Sequence, residues 1–248
     1  MNKKIKNIPI CEIKKELVRQ CYNSYKSREC MEVVGSNVLV EEYENDLGLR
    51  AFIFINHSKE RPYISLVVRG SDETIDWVQN LNVRKAPLYS EDVDEKHKQF
   101  ARVSVHNGYR NVFYREHIGL RIIDKIAALC AEYRYYGVYL SGHSMGGAIL
   151  QIFAYKLFCD KNIKPVCIVF GAPLNIGDKH FQKLLIKKKI FIIHYNVSGD
   201  IVPYLLTMFY PSEFKPVIQP LKNTLHKSII GSHSISYYMQ LILDREQA

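Results

Sequence analysis

The 248-residue sequence is short of features that would mark several protein classes. Nowhere do about 18 apolar residues follow one another, so no stretch reads as a membrane-spanning helix. Residues 1–10 are Lys-rich but hold no apolar run of signal-peptide length, and the expectation is a soluble, unsecreted protein, cytoplasmic or otherwise intracellular. The six cysteines (Cys11, Cys21, Cys30, Cys130, Cys159, Cys167) include no C-x-x-C pair and no neighbouring His at zinc spacing. That argues against a zinc knuckle and a disulfide-stapled framework, and no metal or cofactor is expected. Internal repeats, low-complexity tracts and linkers are also missing, so a single domain over residues 1–248 is the economical reading. Acidic residues are the minority charge: Lys+Arg 34 against Asp+Glu 25 gives +9. The excess could attract nucleic acid or anionic lipid. The lysines are dispersed, with residues 187–189 the only triplet, and no recognisable motif or aromatic-basic platform accompanies them. A nucleic-acid partner is therefore not expected.

What is present is an ordinary globular composition, 47% hydrophobic and 24% charged, with material for a sizeable core. Residues 11–27 carry Ile13, Leu17, Cys21 and Tyr25 at fourfold spacing, which predicts an N-terminal helix of little functional content. Three β-rich runs follow at 38–43, 51–55 and 63–68. Residues 84–100 break the pattern with Pro87 and the mixed-charge run 91–98, and are expected to be a surface excursion. A long helix is expected over 109–133, weakened in its middle by Gly119. The chain then alternates: strand 138–140, helix 148–157, strand 166–170, helix 181–186, strand 190–197. Such alternation implies right-handed crossovers and a parallel sheet. Residues 203–220, holding four prolines, are expected to be a long loop, and 235–243 a closing helix.

The chemistry gathers at Gly142-His143-Ser144-Met145-Gly146, a G-x-S-x-G set between a strand and a helix. Alone, the pentapeptide could be a Gly-rich helix start with a capping serine. In strand–turn–helix context it describes a sharp turn that lifts a serine hydroxyl above the sheet edge, with helix N–H groups behind it where negative charge would develop. A serine hydroxyl is a poor nucleophile unassisted, and needs a histidine base and an orienting carboxylate, which on this fold follow in the order acid, then histidine. The acidic candidates are Asp160, Asp178, Asp200 and Glu213. Asp200 is best placed, one tight turn beyond the strand 190–197. Of the later histidines, His180 and His194 precede Asp200, leaving His226 and His233. His233, at a loop-to-helix junction, is better placed to reach a sheet edge. His143 adjoins the serine, where side chains diverge across a sharp turn.

With these residues in view, the sequence resembles the class 3 lipase family of α/β hydrolases. Residues 66–71 (Leu-Val-Val-Arg-Gly-Ser) with Asp76, Trp77 and Leu81 look like the family's F-R-G-[ST] and D-W-x-x-[DN]-L segments. Val105-His106-Asn107-Gly108-Tyr109 is similar to V-H-x-G-F, and Gly142 through Ala148 to G-H-S-L-G-G-A. Phe170-Gly171-Ala172-Pro173, Asp200-Ile201-Val202-Pro203 and His233 with Tyr238 match the remaining blocks. The resemblance implies an α/β-hydrolase fold with a central, mostly parallel sheet flanked by helices. It assigns Ser144 as nucleophile, Asp200 as acid and His233 as base, with Ser71 and Met145 as oxyanion-hole donors. It also suggests a lid over residues 74–83, drawing on Thr74, Ile75, Asp76, Trp77 and Leu81. Two stretches depart from the family: Tyr204-Leu205-Leu206 stands where Leu-Pro-Pro is usual, and the Lys-rich excursion 84–100 has no counterpart.

The function so implied is a serine carboxylic-ester hydrolase acting on lipid esters, of triacylglycerol, diacylglycerol or phospholipid type. The expected partner is a lipid or small ester, with transient contact to a membrane or lipid-droplet surface. The rival expectations are acyl transfer or thioester hydrolysis on the same machinery, and an inert scaffold that binds lipid or a protein.

Overall fold

The computed structural model describes residues 10–26, 33–34, 37–58, 60–70, 83–89, 102–210, 217–224 and 227–244. Its frame is an eight-stranded sheet. In chain order the strands are β1 (Val33–Val34), β2 (Asn37–Glu44), β3 (Arg50–Asn56), β4 (Tyr63–Val68), β7 (Gly137–His143), β8 (Val166–Phe170), β9 (Ile192–Val197) and β10 (Val217–Leu221). They are neighbours in that same order. Strands β1 to β4 pair antiparallel, and β4, β7, β8, β9 and β10 pair parallel. Every residue of β4 is buried, as its unbroken apolar run requires of a strand covered on both faces.

Period-two alternation sorts the strands' side chains into two cores. On one face Leu140, Cys167 and Val169 pack beneath α2 (Asn107–Tyr114), α3 (Ile118–Glu132), α4 (Met145–Lys161) and α5 (Lys179–Lys187). On the other, Tyr139, Ile168, Phe170 and Tyr195 meet α1 (Ile10–Asn23) and α7 (Ile235–Asp244). The predicted α1 stripe is the buried one, Ile13, Leu17 and Cys21 being 5%, 0% and 1% exposed. Helix α4, behind the candidate serine, is buried almost all round. Its polar Gln151 bonds the Pro173 carbonyl (2.7 Å) and its Lys156 pairs with Asp160 (2.7 Å).

Four expectations need correction. The helix foreseen over 109–133 is two helices, parted by a 3-10 turn at Arg115–His117 in which Glu116 and His117 take left-handed φ of 53° and 55°. Phe113 and Ile118 are both core residues five positions apart, one more than a continuous helical stripe allows, and the turn absorbs the extra residue. The loop foreseen over 203–220 contains β10, whose Pro220 is tolerated because the strand lies at the sheet edge. The excursion 84–100 begins with an ordered strand, β5 (Lys85–Pro87), paired with β6 (Ser104–His106), and Leu88 and Tyr89 are buried behind it. Its charged run 91–98 lies outside the described residues. Finally, α1 ends at Asn23, and the turn after it reaches the candidate site.

Candidate active site

Ser144 stands between β7 and α4 with φ 54° and ψ −125°, a backbone conformation that few residues other than glycine adopt. It persists because its surroundings hold it. The Ser144 N–H donates to the Phe170 carbonyl (3.0 Å), and its own carbonyl accepts from Ala148 N–H (3.2 Å). Gly146 is obligatory on this turn: a Cβ there would stand 2.2 Å from the Val68 carbonyl oxygen. The second glycine of G-x-S-x-G is thus a packing requirement between the turn and the end of β4, and the first, Gly142, one between β7 and the start of α4, where a Cβ would meet Gly146 and Gly147 at 2.8 Å.

Around Ser144 the chain gathers residues from three further segments. His233, in the turn between α6 (Ile229–Ser232) and α7, places Nε2 2.9 Å from Ser144 Oγ and Nδ1 2.8 Å from Asp200 Oδ2. Asp200 follows β9 by the turn containing Gly199, as expected. Its side chain is fully buried, and every contact it makes is a donor: His233 Nδ1–H and the Tyr238 hydroxyl (2.7 Å) at Oδ2, and Val202 N–H (2.9 Å) at Oδ1. A carboxylate accepts through both oxygens, and each of these bonds gives it a donor. Since Nδ1 must then carry the His233 proton, Nε2 is left to accept from the Ser144 hydroxyl. Tyr238 in turn accepts from Val197 N–H (3.0 Å), and burial holds its phenol well above the usual range, so it stays a donor to Asp200.

The sequence-predicted trio therefore comes together. Met145 is the first residue of α4, where a helical N–H has no intrahelical acceptor. Ser71, the other expected oxyanion donor, and Thr74, Ile75, Asp76, Trp77 and Leu81 of the expected lid lie outside the described residues. A Cβ on Gly70, one residue before Ser71, would meet the Tyr25 hydroxyl, the His143 carbonyl and the Ser144 Cβ. The acids passed over have other tasks: Asp178 caps α5 and Asp160 pairs with Lys156. Glu213 and His226 lie outside the described residues, and His194 is buried within β9. Among the described residues no group of three or more His, Cys, Asp or Glu could hold a metal ion. No helix among them is long and apolar enough to cross a membrane.

Sequence reasoning missed three participants. The Tyr25 hydroxyl meets His143 Nδ1 (2.8 Å), and His143 Nε2 meets the His233 carbonyl (2.7 Å), so the residue beside the serine braces the backbone of the histidine opposite. Gly171, at φ 55°, lies beneath the pair: a Cβ there would be 2.8 Å from Asp200 Oδ2 and 3.1 Å from His233 Nδ1. Its motif, Phe170-Gly171-Ala172-Pro173, was visible, whereas nothing in the local sequence marks Tyr25.

Comparison with known proteins finds relatives in sequence and in fold. The Caenorhabditis elegans protein Lipase ZK262.3 is 33% identical over 81 residues, covering 30% of this chain and only 22% of the worm protein. Among solved structures, lipase II from Rhizopus niveus superposes with a TM-score of 0.64 at 17% identity, covering 80% of this chain and 75% of that one. A triacylglycerol lipase whose catalytic centre is described as a serine protease triad gives 0.67 at 18% identity, over 87% and 80% of the two chains. At such identity the likeness to these structures is one of fold. The model of the family described as Lipase (class 3) matches residues 65–210, more than half of the sequence, and the chain belongs to that family.

Proposed function

We propose that this protein is a serine hydrolase of carboxylic esters whose substrates are lipid esters, with Ser144 as nucleophile, His233 as general base and Asp200 as its orienting acid. The observation that carries the reading is the unbroken hydrogen-bond chain from Ser144 Oγ through His233 to Asp200 Oδ2, built on a turn that holds the buried Ser144 hydroxyl at the end of β7. As Ser144 attacks the ester carbonyl, its proton passes to His233 Nε2, and Asp200 stabilises the resulting imidazolium. Negative charge on the substrate oxygen is met by the Met145 N–H at the positive end of α4, with Ser71 as the second donor. His233 returns the proton to the departing alcohol, then activates a water that releases the acyl group.

Membership of the class 3 lipase family supports lipid esters as the substrate class. The test is hydrolysis of p-nitrophenyl esters from acetyl to palmitoyl by wild type and by Ser144→Ala. The expected result is turnover by the wild type, increasing with chain length in the presence of vesicles, and a loss on the order of 10³-fold or more in the variant. Equal, near-zero rates in both proteins across all chains would overturn the reading.

A further inference from the structure

Ser144 follows β7 and Asp200 follows β9, so the triad occupies the end at which the parallel strands finish. The opposite end, where they begin, has a character of its own. Four neighbouring strands, β4, β7, β8 and β9, are entered there from residues 60–62, 133–136, 162–165 and 188–191. At a spacing of about 4.8 Å between strands, the four entries stand in a row about 15 Å long. Residues far apart in sequence become neighbours along it.

The row is basic. It carries Arg61, Arg134, Lys164, Lys188 and Lys189, with Lys187 at the end of α5 beside them, against the acids Glu60 and Glu132. Among the described residues none of these six cations is in an ion pair, whereas Lys156 and Lys161 of α4 are taken up by Asp160 and Asp124. The favourable setting of cations at a helix C-terminus accounts for Lys187 and Lys188. It does not account for Arg61, Arg134 and Lys164, which are exposed and sit in connecting segments. Apolar groups are interleaved with the cations. Tyr135, Phe191 and Ile186 are 96%, 52% and 47% exposed, and Lys164 Nζ lies 6.0 Å from the Phe191 ring centre. Exposed apolar side chains rimmed by charge mark a contact site, and Tyr and Arg are residues on which protein interfaces concentrate their binding energy.

The shape and chemistry of the row indicate its occupant. A line of strand entries fits a linear chain better than a planar surface. The cations call for a polyanion, and Ile186 and Phe191 for an apolar side chain among its charges. A single-stranded nucleic acid offers no aliphatic group and needs open rings on which to stack its bases. The rings of His57, Tyr133 and Tyr136 are instead packed on one another, with centres 4.9, 5.8 and 6.1 Å apart. We propose that the strand-entry edge of the sheet is a docking site for an acidic segment of a partner protein, rich in Asp and Glu and carrying an apolar residue. Arg61, Arg134, Lys164 and Lys189 meet its carboxylates, and Phe191 with Ile186 receives the apolar side chain. The site lies at the far end of the strands from Ser144 and does not depend on the hydrolase reading.

The test is fluorescence anisotropy with a labelled peptide of Glu and Asp residues around a central Phe-Leu pair, titrated with the full chain at low and high salt. Wild type is expected to bind at low salt and to lose roughly tenfold or more in affinity at high salt. Arg134→Glu/Lys164→Glu/Lys189→Glu, which alters three different entries, should weaken binding by roughly a hundredfold. The milder Arg134→Gln/Lys164→Gln should weaken it by roughly tenfold, which keeps the test decisive if the first variant folds poorly. Phe191→Ser should cost about three- to tenfold and leave the salt dependence unchanged. Ser144→Ala should bind as wild type does. Absence of wild-type binding, or wild-type affinity in the charge variants at a wild-type melting temperature, would overturn the site. Equal affinity for a peptide with Ser-Ser in place of Phe-Leu would overturn the apolar anchor. An oligo-dT of equal charge, or anionic vesicles, binding more tightly than the peptide and released by the same substitutions would overturn the acidic protein in favour of nucleic acid or lipid.

Discussion

The Tyr25 hydroxyl donates to Nδ1 of His143 across 118 positions of sequence, tying the turn after α1 to the residue beside Ser144. The direction of that bond follows from the other side of the ring. His143 Nε2 faces the His233 carbonyl, which can only accept, so Nε2 carries the hydrogen and Nδ1 receives the Tyr25 proton. Burial, reinforced by the neighbouring His233, holds His143 well below its ordinary pKa, so the ring stays neutral. Tyr25→Phe removes one oxygen and frees this ring to turn. We expect kcat on a soluble ester to fall about three- to tenfold with KM unchanged, the cost of about one buried hydrogen bond. Steady-state kinetics on p-nitrophenyl butyrate would read it, and an unaltered kcat would show that the bond does not position His233.

That bond also shows where sequence reading stops. The strands and helices from 137 to 197 were legible because period-two and helical patterns are local properties of the chain. Ser144, Asp200 and His233 were legible because the chemistry dictates both residue type and order along the fold. Tyr25 was not, since its partner is fixed by the docking of α1 against α7 and the sheet, a relation with no local signature. The break at Arg115–His117 has a different origin: its signal in the sequence is the five-residue step from Phe113 to Ile118, and not Gly119. Strand β10 escaped because Pro220 argues against a strand, an argument that fails at a sheet edge.

Gly171→Ala tests how tightly Asp200 and His233 are packed. The residue has φ 55°, and a methyl there would press within 2.8 Å of Asp200 Oδ2. Relief requires the carboxylate or the imidazole to move, and a displacement near 1 Å can cost about 10² in rate. We expect kcat to fall on the order of a hundredfold, with about 1–3 kcal/mol lost in stability from backbone strain. Turnover within twofold of wild type, measured beside a denaturant melt, would count against the tight-packing account.

Stability should fall in mild acid through two buried histidines. Burial lowers both His194, in β9, and His106, capping α2, from 6.5 to about 4. Well above pH 6.5 neither the folded nor the unfolded ring is protonated, and stability from this source is complete. As pH drops toward 4 the unfolded chain takes up protons that the folded chain refuses, so stability declines through that window and levels off below it. For His194 the loss by pH 4.5 is about 2–3 kcal/mol, which corresponds to a Tm roughly 5–10 °C lower than at pH 7. His194→Gln, which cannot titrate, should flatten the curve. Parallel Tm-against-pH curves for the two proteins would show that another group sets the slope.

Tyr238 and Asp200 give the sharpest test of the site, because the tyrosine acts through the carboxylate. Its hydroxyl donates to Oδ2, the oxygen that His233 also uses, while accepting from Val197 N–H. Tyr238→Phe leaves Oδ2 one donor short and the buried Val197 N–H without its acceptor, costing about 1–3 kcal/mol in stability and about tenfold in kcat. Asp200→Asn is more severe: its amide can donate toward His233 and favour the wrong tautomer, and a loss of about 10⁴ in kcat is expected. If Tyr238 serves the carboxylate, its removal has little left to cost once the carboxylate is gone. The double variant should then be scarcely slower than Asp200→Asn alone, a coupling close to the full single-variant effect. Multiplicative losses in that cycle would mean that Tyr238 holds α7 in place without orienting Asp200.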